Sequence, residues 1–330
     1  MSLISFRAMQ TRLNEFFFGP DKTPWTLIRM GCAFLILATL LLMGISGNYE
    51  RLYGHYGMLP RRVAVDTVYW PGFLFLIKSD PAWIWRIYWV TVAAAFCLAV
   101  GLWTRVAAAL TFFLYVAMVQ RNLVSFNGET GILAFALFTL IFAPWPQRFS
   151  VDHLLLKKPL PHRPEIWAAR FLQFNVCMMY LFTTLGKFAG QWDLGTGEIW
   201  YHITLSDWFR FSSVEWLRNP WVCLIAVHGS LLVEGSFAFL VWTGLRLPLV
   251  LLLMVLHASI IVLFDNALTF FNIAAMIVLC GFLETGDLDR IRRFFRKAGR
   301  QVPLQLSSDK VRAAAVCDYE SRCELFLDCC

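Results

Sequence analysis

The apolar run from Trp25 to about Ser46 is long enough to cross a bilayer, which takes about 20 residues, and it does not stand alone. Seven more such runs follow, at 83–102, 105–120, 129–144, 166–187, 221–242, 247–264 and 267–283. In hydrocarbon every backbone N–H and C=O must be satisfied within the protein, so runs of this kind fold as helices. The fold class is therefore all-α, a polytopic transmembrane helix bundle of about eight spans. Composition agrees. Of the 330 residues 58% are hydrophobic and only 15% charged, and the mean hydropathy is +0.60. A soluble domain carries roughly a quarter charged residues.

The first run is too long for the apolar part of a signal peptide and no small-x-small cleavage site follows it. The third and fourth spans are short and tightly joined, as are the seventh and eighth, so each pair forms a hairpin. The connector PWPQRFSVDHLLLKKPLPHRP (144–164) holds five prolines and cannot be one helix. Three regions result. Residues 1–24 carry Leu3, Phe6, Met9, Leu13, Phe16 and Phe17 near one helical face, an amphipathic segment for the membrane interface. Residues 25–285 are the transmembrane domain, and 286–330 are a basic tail.

Orientation follows from Lys and Arg. Residues Arg7, Arg12, Lys22, Arg148, Lys157, Lys158 and Arg163 fall on one side, with the basic run DLDRIRRFFRKAGR (287–300). That side is cytoplasmic, so both termini are cytoplasmic in a multi-pass protein of the cell inner membrane. The net charge of +7 belongs largely to that run. Anionic lipid accounts for it, and no nucleic-acid partner is implied. The lipid bilayer is the partner that composition does imply. Five of the nine cysteines lie in apolar runs, and four crowd the last fourteen residues in no zinc-ligand spacing, so no metal site is expected.

The polar residues of the fifth span carry the chemistry. Arg170, Gln173, Cys177, Tyr180, Thr184 and Lys187 recur at helical spacing and share one stripe. Such a stripe faces the bundle interior, either as interhelical glue or as the wall of a wet cavity. Lys187 ends the span. Its amine either snorkels to the headgroups or turns inward. Two further ionisable groups, Glu234 and His257, fall near mid-membrane, where a lone charge costs several kcal/mol. A Glu234–His257 pair across neighbouring helices satisfies both. The turns QRNLVSFNGET (120–130), GQWDLGTGEIW (190–200) and FDNALTFFN (264–272), with the aromatic loop 48–75, lie on the same side as Lys187. They place a pocket there, with Tyr180, Thr184, Gln191, Trp192, Asn127, Glu129, Arg121 and Asn272 in its wall.

The series QRN…NGE, FSVD, FLQFNVCMMYLFTTLGKFAGQW, VEGSFAFLVW and HASIIVLFDNALTFFNIAAMIVL resembles the HTTM domain from about residue 20 to 285. This is the membrane domain of vitamin-K-dependent γ-glutamyl carboxylases and their bacterial relatives. The resemblance implies that Lys187 is a catalytic base and that a reduced, vitamin-K-like quinone is the cofactor. A lysine can lose a proton where an arginine cannot. The chain departs from the carboxylases in three places. Asn127-Gly128-Glu129-Thr130 lacks the histidine of their Asn-His-aromatic motif, Gly186 replaces a second lysine, and no β-rich extracytoplasmic domain follows residue 283. Beside a purely structural membrane protein in which the polar stripe only packs, the family implies one of two roles. The first is a quinol-linked or peptide-modifying enzyme. The second is a non-enzymatic partner in maturation, export or immunity of a small secreted peptide. A partner subunit is compatible with both.

Overall fold

A computed structural model describes residues 21–54, 57–67, 80–147, 149–161, 166–191, 196–265, 268–284, 286–287 and 290. Most of the expected amphipathic segment, part of loop 48–75, Trp192 and nearly all of the basic tail with its cysteines lie outside the described residues.

Eight principal helices occupy the eight apolar runs: α1 (Trp25–Ile45), α2 (Pro81–Val100), α3 (Thr104–Arg121), α4 (Gly128–Phe142), α5 (Trp167–Gly186), α6 (Pro220–Leu240), α7 (Arg246–Leu263) and α8 (Thr269–Leu279). No strand occurs among the described residues, and the class is all-α. Four helices, α1, α2, α6 and α7, are each long and apolar enough to cross a membrane. Among the rest, α4 and α8 are short, with 15 and 11 residues. Helix α5 bears the polar stripe, which lowers its hydropathy because it faces protein.

The helices start and stop where local chemistry directs. Asp80 caps α2 by accepting from the Trp83 N–H, with Pro81 in the first turn. Asn127 and Thr130 form a reciprocal capping box on α4. Helix α2 ends at Gly101, in the left-handed region at φ 73°, where any Cβ would collide with Ser150.

Two buried arginines fasten opposite ends of the bundle. Arg29 of α1 donates through Nε to Gln147 Oε1 at 2.9 Å, and through its Nη groups to the carbonyls of Leu98, Ala99 and Phe149. It thereby caps the carbonyl-rich end of α2. At the other end Arg121 donates to the carbonyls of Leu59, at 2.6 Å, and Gly54, at 3.0 Å. These bonds hold the segment after the short helix Asn48–Tyr53 against α3. Between these ends the core is aliphatic and aromatic, with Ile28, Ile36, Leu98, Leu133, Leu172 and Phe237 fully buried.

The Arg29 end has a second clasp. Asp152 accepts from the Trp103 and Thr104 N–H groups, from the Thr104 hydroxyl and from the Trp145 indole. Burial alone would raise its pKa, but the hydrogen bonds from Thr104, Trp145 and Trp103 outweigh it and hold the carboxyl below the usual carboxylate range. A carboxyl whose folded-state pKa is depressed stabilises the fold fully above its unfolded value of about 3.9 and loses that contribution as pH falls through the folded value. Asp152→Asn is therefore expected to lower stability by about 1–3 kcal/mol at neutral pH. Melting curves in detergent should show this deficit shrinking as pH drops below about 3.9.

Candidate functional site

Helix α5 reaches Gly186 and then changes its winding. The Lys187 N–H still bonds to the Thr183 and Thr184 carbonyls, and residues Lys187–Gln191 form a π-type turn that ends through Gly190 at φ 107°. Only glycine reaches that φ without strain. The turn leaves Lys187 on the α5 stripe but at its open end. Across from it, α6 approaches closely because residue 235 is glycine: a Cβ there would lie 3.1 Å from the Thr184 methyl. This near-contact brings Glu234, one residue earlier, beside the lysine.

Lys187 Nζ donates to Glu234 Oε2 at 2.5 Å, with side-chain exposures of 19% and 12%. The amine is turned inward, not along the lipid-facing surface. The expected Glu234–His257 pair is not formed. Glu234 meets Lys187 instead, because its position around α6 turns its side chain toward the end of α5. His257 is buried between Tyr180, whose hydroxyl lies 2.6 Å from Nε2, and Asn272, whose Oδ1 lies 2.7 Å from Nδ1. Tyr180 packs edge-on to Phe237 and His257 packs against Phe271, which fixes both rings.

Lys187, Glu234, Tyr180 and His257 all line one cavity of about 1140 Å³. Its remaining wall is mainly apolar, drawn from α4 (Ile132, Phe135), α5 (Met178, Met179), α6 (Val227) and α7 (Leu256, Ile260). The short helix Glu198–Leu205 contributes Trp200, His202 and Ile203. The segment that follows is pinned to the end of α7. Arg210 N–H bonds to the Leu263 carbonyl, Asp265 N–H bonds to the Trp208 carbonyl, and Phe209 packs edge-on to Phe264.

The other expected wall residues lie elsewhere. Thr184 and Asn272 sit behind the cavity, Thr184 against Gly235 and Asn272 behind His257. Asn127 is exposed and spent on capping α4. Glu129 does not line the cavity and instead meets α1, where the Thr39 hydroxyl approaches it at 3.4 Å. Arg121 is the clasp already described. These last three share a loop with the cavity's end, and sequence spacing cannot tell which face of the following turn each side chain takes. Gln191 lies in the π-type turn, and its side chain, like Trp192, is outside the described residues. Sequence reasoning missed His202 and Trp200, whose helix carries no span-length apolar signal.

The HTTM domain family model matches residues 21–283. No curated protein and no solved structure matches the chain.

If Lys187 and Glu234 stabilise each other, removing either alone strands the other in an apolar wall, at about 1–3 kcal/mol. Lys187→Met combined with Glu234→Leu should recover much of either single loss in a detergent melting series. Strictly additive losses would show the two groups uncoupled.

Proposed function

The chain belongs to the HTTM domain family, and on that premise we propose that it is a membrane enzyme in which Lys187 and Glu234 remove a proton from a lipid-soluble hydroxyl compound. The observation that carries this reading is the charged pair set in the wall of a large apolar cavity. A reduced quinone of the vitamin K type is the substrate that fits best. Its ring and tail match the apolar wall, and its hydroxyl matches the pair.

The pair handles the proton in two linked transfers. Lys187 gives one ammonium proton to the Glu234 carboxylate, so an N–H bond breaks and an O–H bond forms. The neutral amine then takes the substrate's hydroxyl proton, restoring the ammonium beside the new oxyanion. Charge is conserved throughout, and the product anion rests next to a fixed cation, which lowers the barrier. Glu234 is the final proton acceptor, so the amine can act as a base although it starts as an ammonium.

The same reading sets the chain in the cell inner membrane with both termini cytoplasmic and the Lys187 end outside. It takes residues 25–285 as the membrane domain, flanked by the interfacial segment 1–24 and the basic tail 286–330. In a cysteine-free background, a cysteine placed at Arg61 should label with an impermeant maleimide in intact cells. Labelling only after lysis would reverse the orientation.

The catalytic reading is tested by adding reduced 2-methyl-1,4-naphthoquinone to the purified protein. Oxygen-dependent return of the quinone absorbance is then followed, because a deprotonated hydroquinone gives electrons to dioxygen faster than a neutral one. Lys187→Arg keeps the charge and Glu234→Gln keeps the shape. Each should slow the reaction by about 10²-fold or more, while melting of the arginine variant stays close to wild type. An arginine variant with the wild-type rate would overturn the proposal, since its guanidinium cannot give up a proton.

A further inference from the structure

His257 stands between two polar partners, and the direction of each hydrogen bond can be deduced. Asn272 Nδ2 donates to the Leu268 carbonyl at 2.7 Å. A carbonyl only accepts, so the amide nitrogen of Asn272 must face Leu268 and its Oδ1 must face the histidine. That oxygen also only accepts, so the ring nitrogen 2.7 Å away, Nδ1, must carry a hydrogen. In the neutral ring Nε2 is then a bare lone pair. The group 2.6 Å from it is the Tyr180 hydroxyl, which must donate its only hydrogen there. The chain therefore runs one way, from Tyr180 O–H to His257, from His257 Nδ1–H to Asn272, and from Asn272 to Leu268.

The consequence falls on Tyr180. Its hydroxyl hydrogen is committed to His257, and the oxygen retains only lone pairs. Tyr180 and His257 both line the apolar cavity that holds Lys187 and Glu234. We infer that the Tyr180–His257–Asn272 chain makes the Tyr180 oxygen an acceptor-only station, which selects ligands bearing a hydroxyl over counterparts bearing only a carbonyl or ether oxygen.

A ligand hydroxyl can donate to this oxygen, whereas a carbonyl or ether there meets a second acceptor and gains nothing for the water it has lost. In such a site a buried polar group left unpaired discriminates more sharply than a change of apolar bulk. Tyr180 is the contacting residue, while His257 and Asn272 are positioning residues that set the direction of its hydrogen bond. The inference deepens the proposed function and rests on the cavity being a site for a lipid-soluble hydroxyl compound, but it does not depend on proton removal by Lys187.

Binding of a matched, redox-inert pair tests it: 4-octylphenol and its methyl ether, titrated into the detergent-solubilised full chain and followed by quenching of tryptophan fluorescence. Wild type should bind the phenol about 10-fold or more tighter than the ether, the ratio expected for a hydrogen bond made or left unmade. Tyr180→Phe removes only the hydroxyl. It should bring the two affinities within about twofold of each other, chiefly by weakening the phenol. If Tyr180→Phe keeps the wild-type preference, the selecting station is wrong while the cavity remains a ligand site. If wild type binds neither compound, the ligand-site reading fails and this inference with it. A wild-type turnover rate in Lys187→Arg with the phenol preference intact would sink only the catalytic reading. A second measurement needs no folded variant at position 180. In protein labelled with ¹⁵N-histidine, with the His257 signals identified by their loss in His257→Gln, the ring should show hydrogen on Nδ1 and none on Nε2. The opposite tautomer would overturn the inference.

Discussion

An apolar bundle of this kind leaves no water to rescue a polar group, and that constraint organises the rest of the molecule. Each buried polar side chain has to find a partner inside the protein or cost several kcal/mol. Arg29 meets it by spreading its guanidinium over three carbonyls and an amide oxygen. Arg121 meets it at two loop carbonyls, and Asp152 by gathering four donors. Each uses backbone groups that helix ends and turns leave unsatisfied, so the same bonds that shelter the charge also fix where helices stop.

Lys187 and Glu234 satisfy the constraint differently. They are two ionisable groups brought together within the cavity wall, on helices held close by Gly235. Such a pair costs desolvation on both sides, and its attraction does little more than offset that cost. Stability alone would be served as well by two packed aliphatic side chains. Under the proposed function the pair has a further rationale in chemistry, where a fixed cation and a proton acceptor side by side in a cavity wall are useful.

Much of this was legible in the sequence. Eight apolar runs became eight helices, and the 3-4-3-4-3 spacing from Arg170 to Lys187 marked the stripe of α5 that turns toward protein. Residues 21–283 match the family that the motifs suggested. The partners were not legible. Glu234 and His257 were the obvious mid-membrane couple by depth, yet pairing depends on the azimuth of each side chain around its helix, which depth does not give. Asn127, Glu129 and Arg121 misled for a related reason: proximity along a turn puts residues at one end of the bundle but not on one face. Arg29 left little trace because a single arginine near the start of an apolar run reads as an interfacial anchor until its carbonyl partners are seen.

The arrangement along α5 ties these points together. Tyr180 and Lys187 are seven residues apart, so they lie on the same face, about two helical turns or roughly 10 Å apart along the axis. One end of that stretch presents a neutral, directional hydrogen-bond chain and the other a charged pair, with apolar wall between them. Thr184, one turn before Lys187, is buried with its hydroxyl unpartnered and its methyl against Gly235. It serves contact between α5 and α6 and not the cavity. The polar stripe thus has two kinds of member. Gln173, whose amide donates to the Gly281 carbonyl at 2.7 Å, and Thr184 face neighbouring elements of the bundle, whereas Tyr180 and Lys187 face the cavity. Tyr180 and Lys187 also bond to neighbouring helices, at His257 of α7 and Glu234 of α6, but unlike Gln173 they do so in the wall of the apolar cavity.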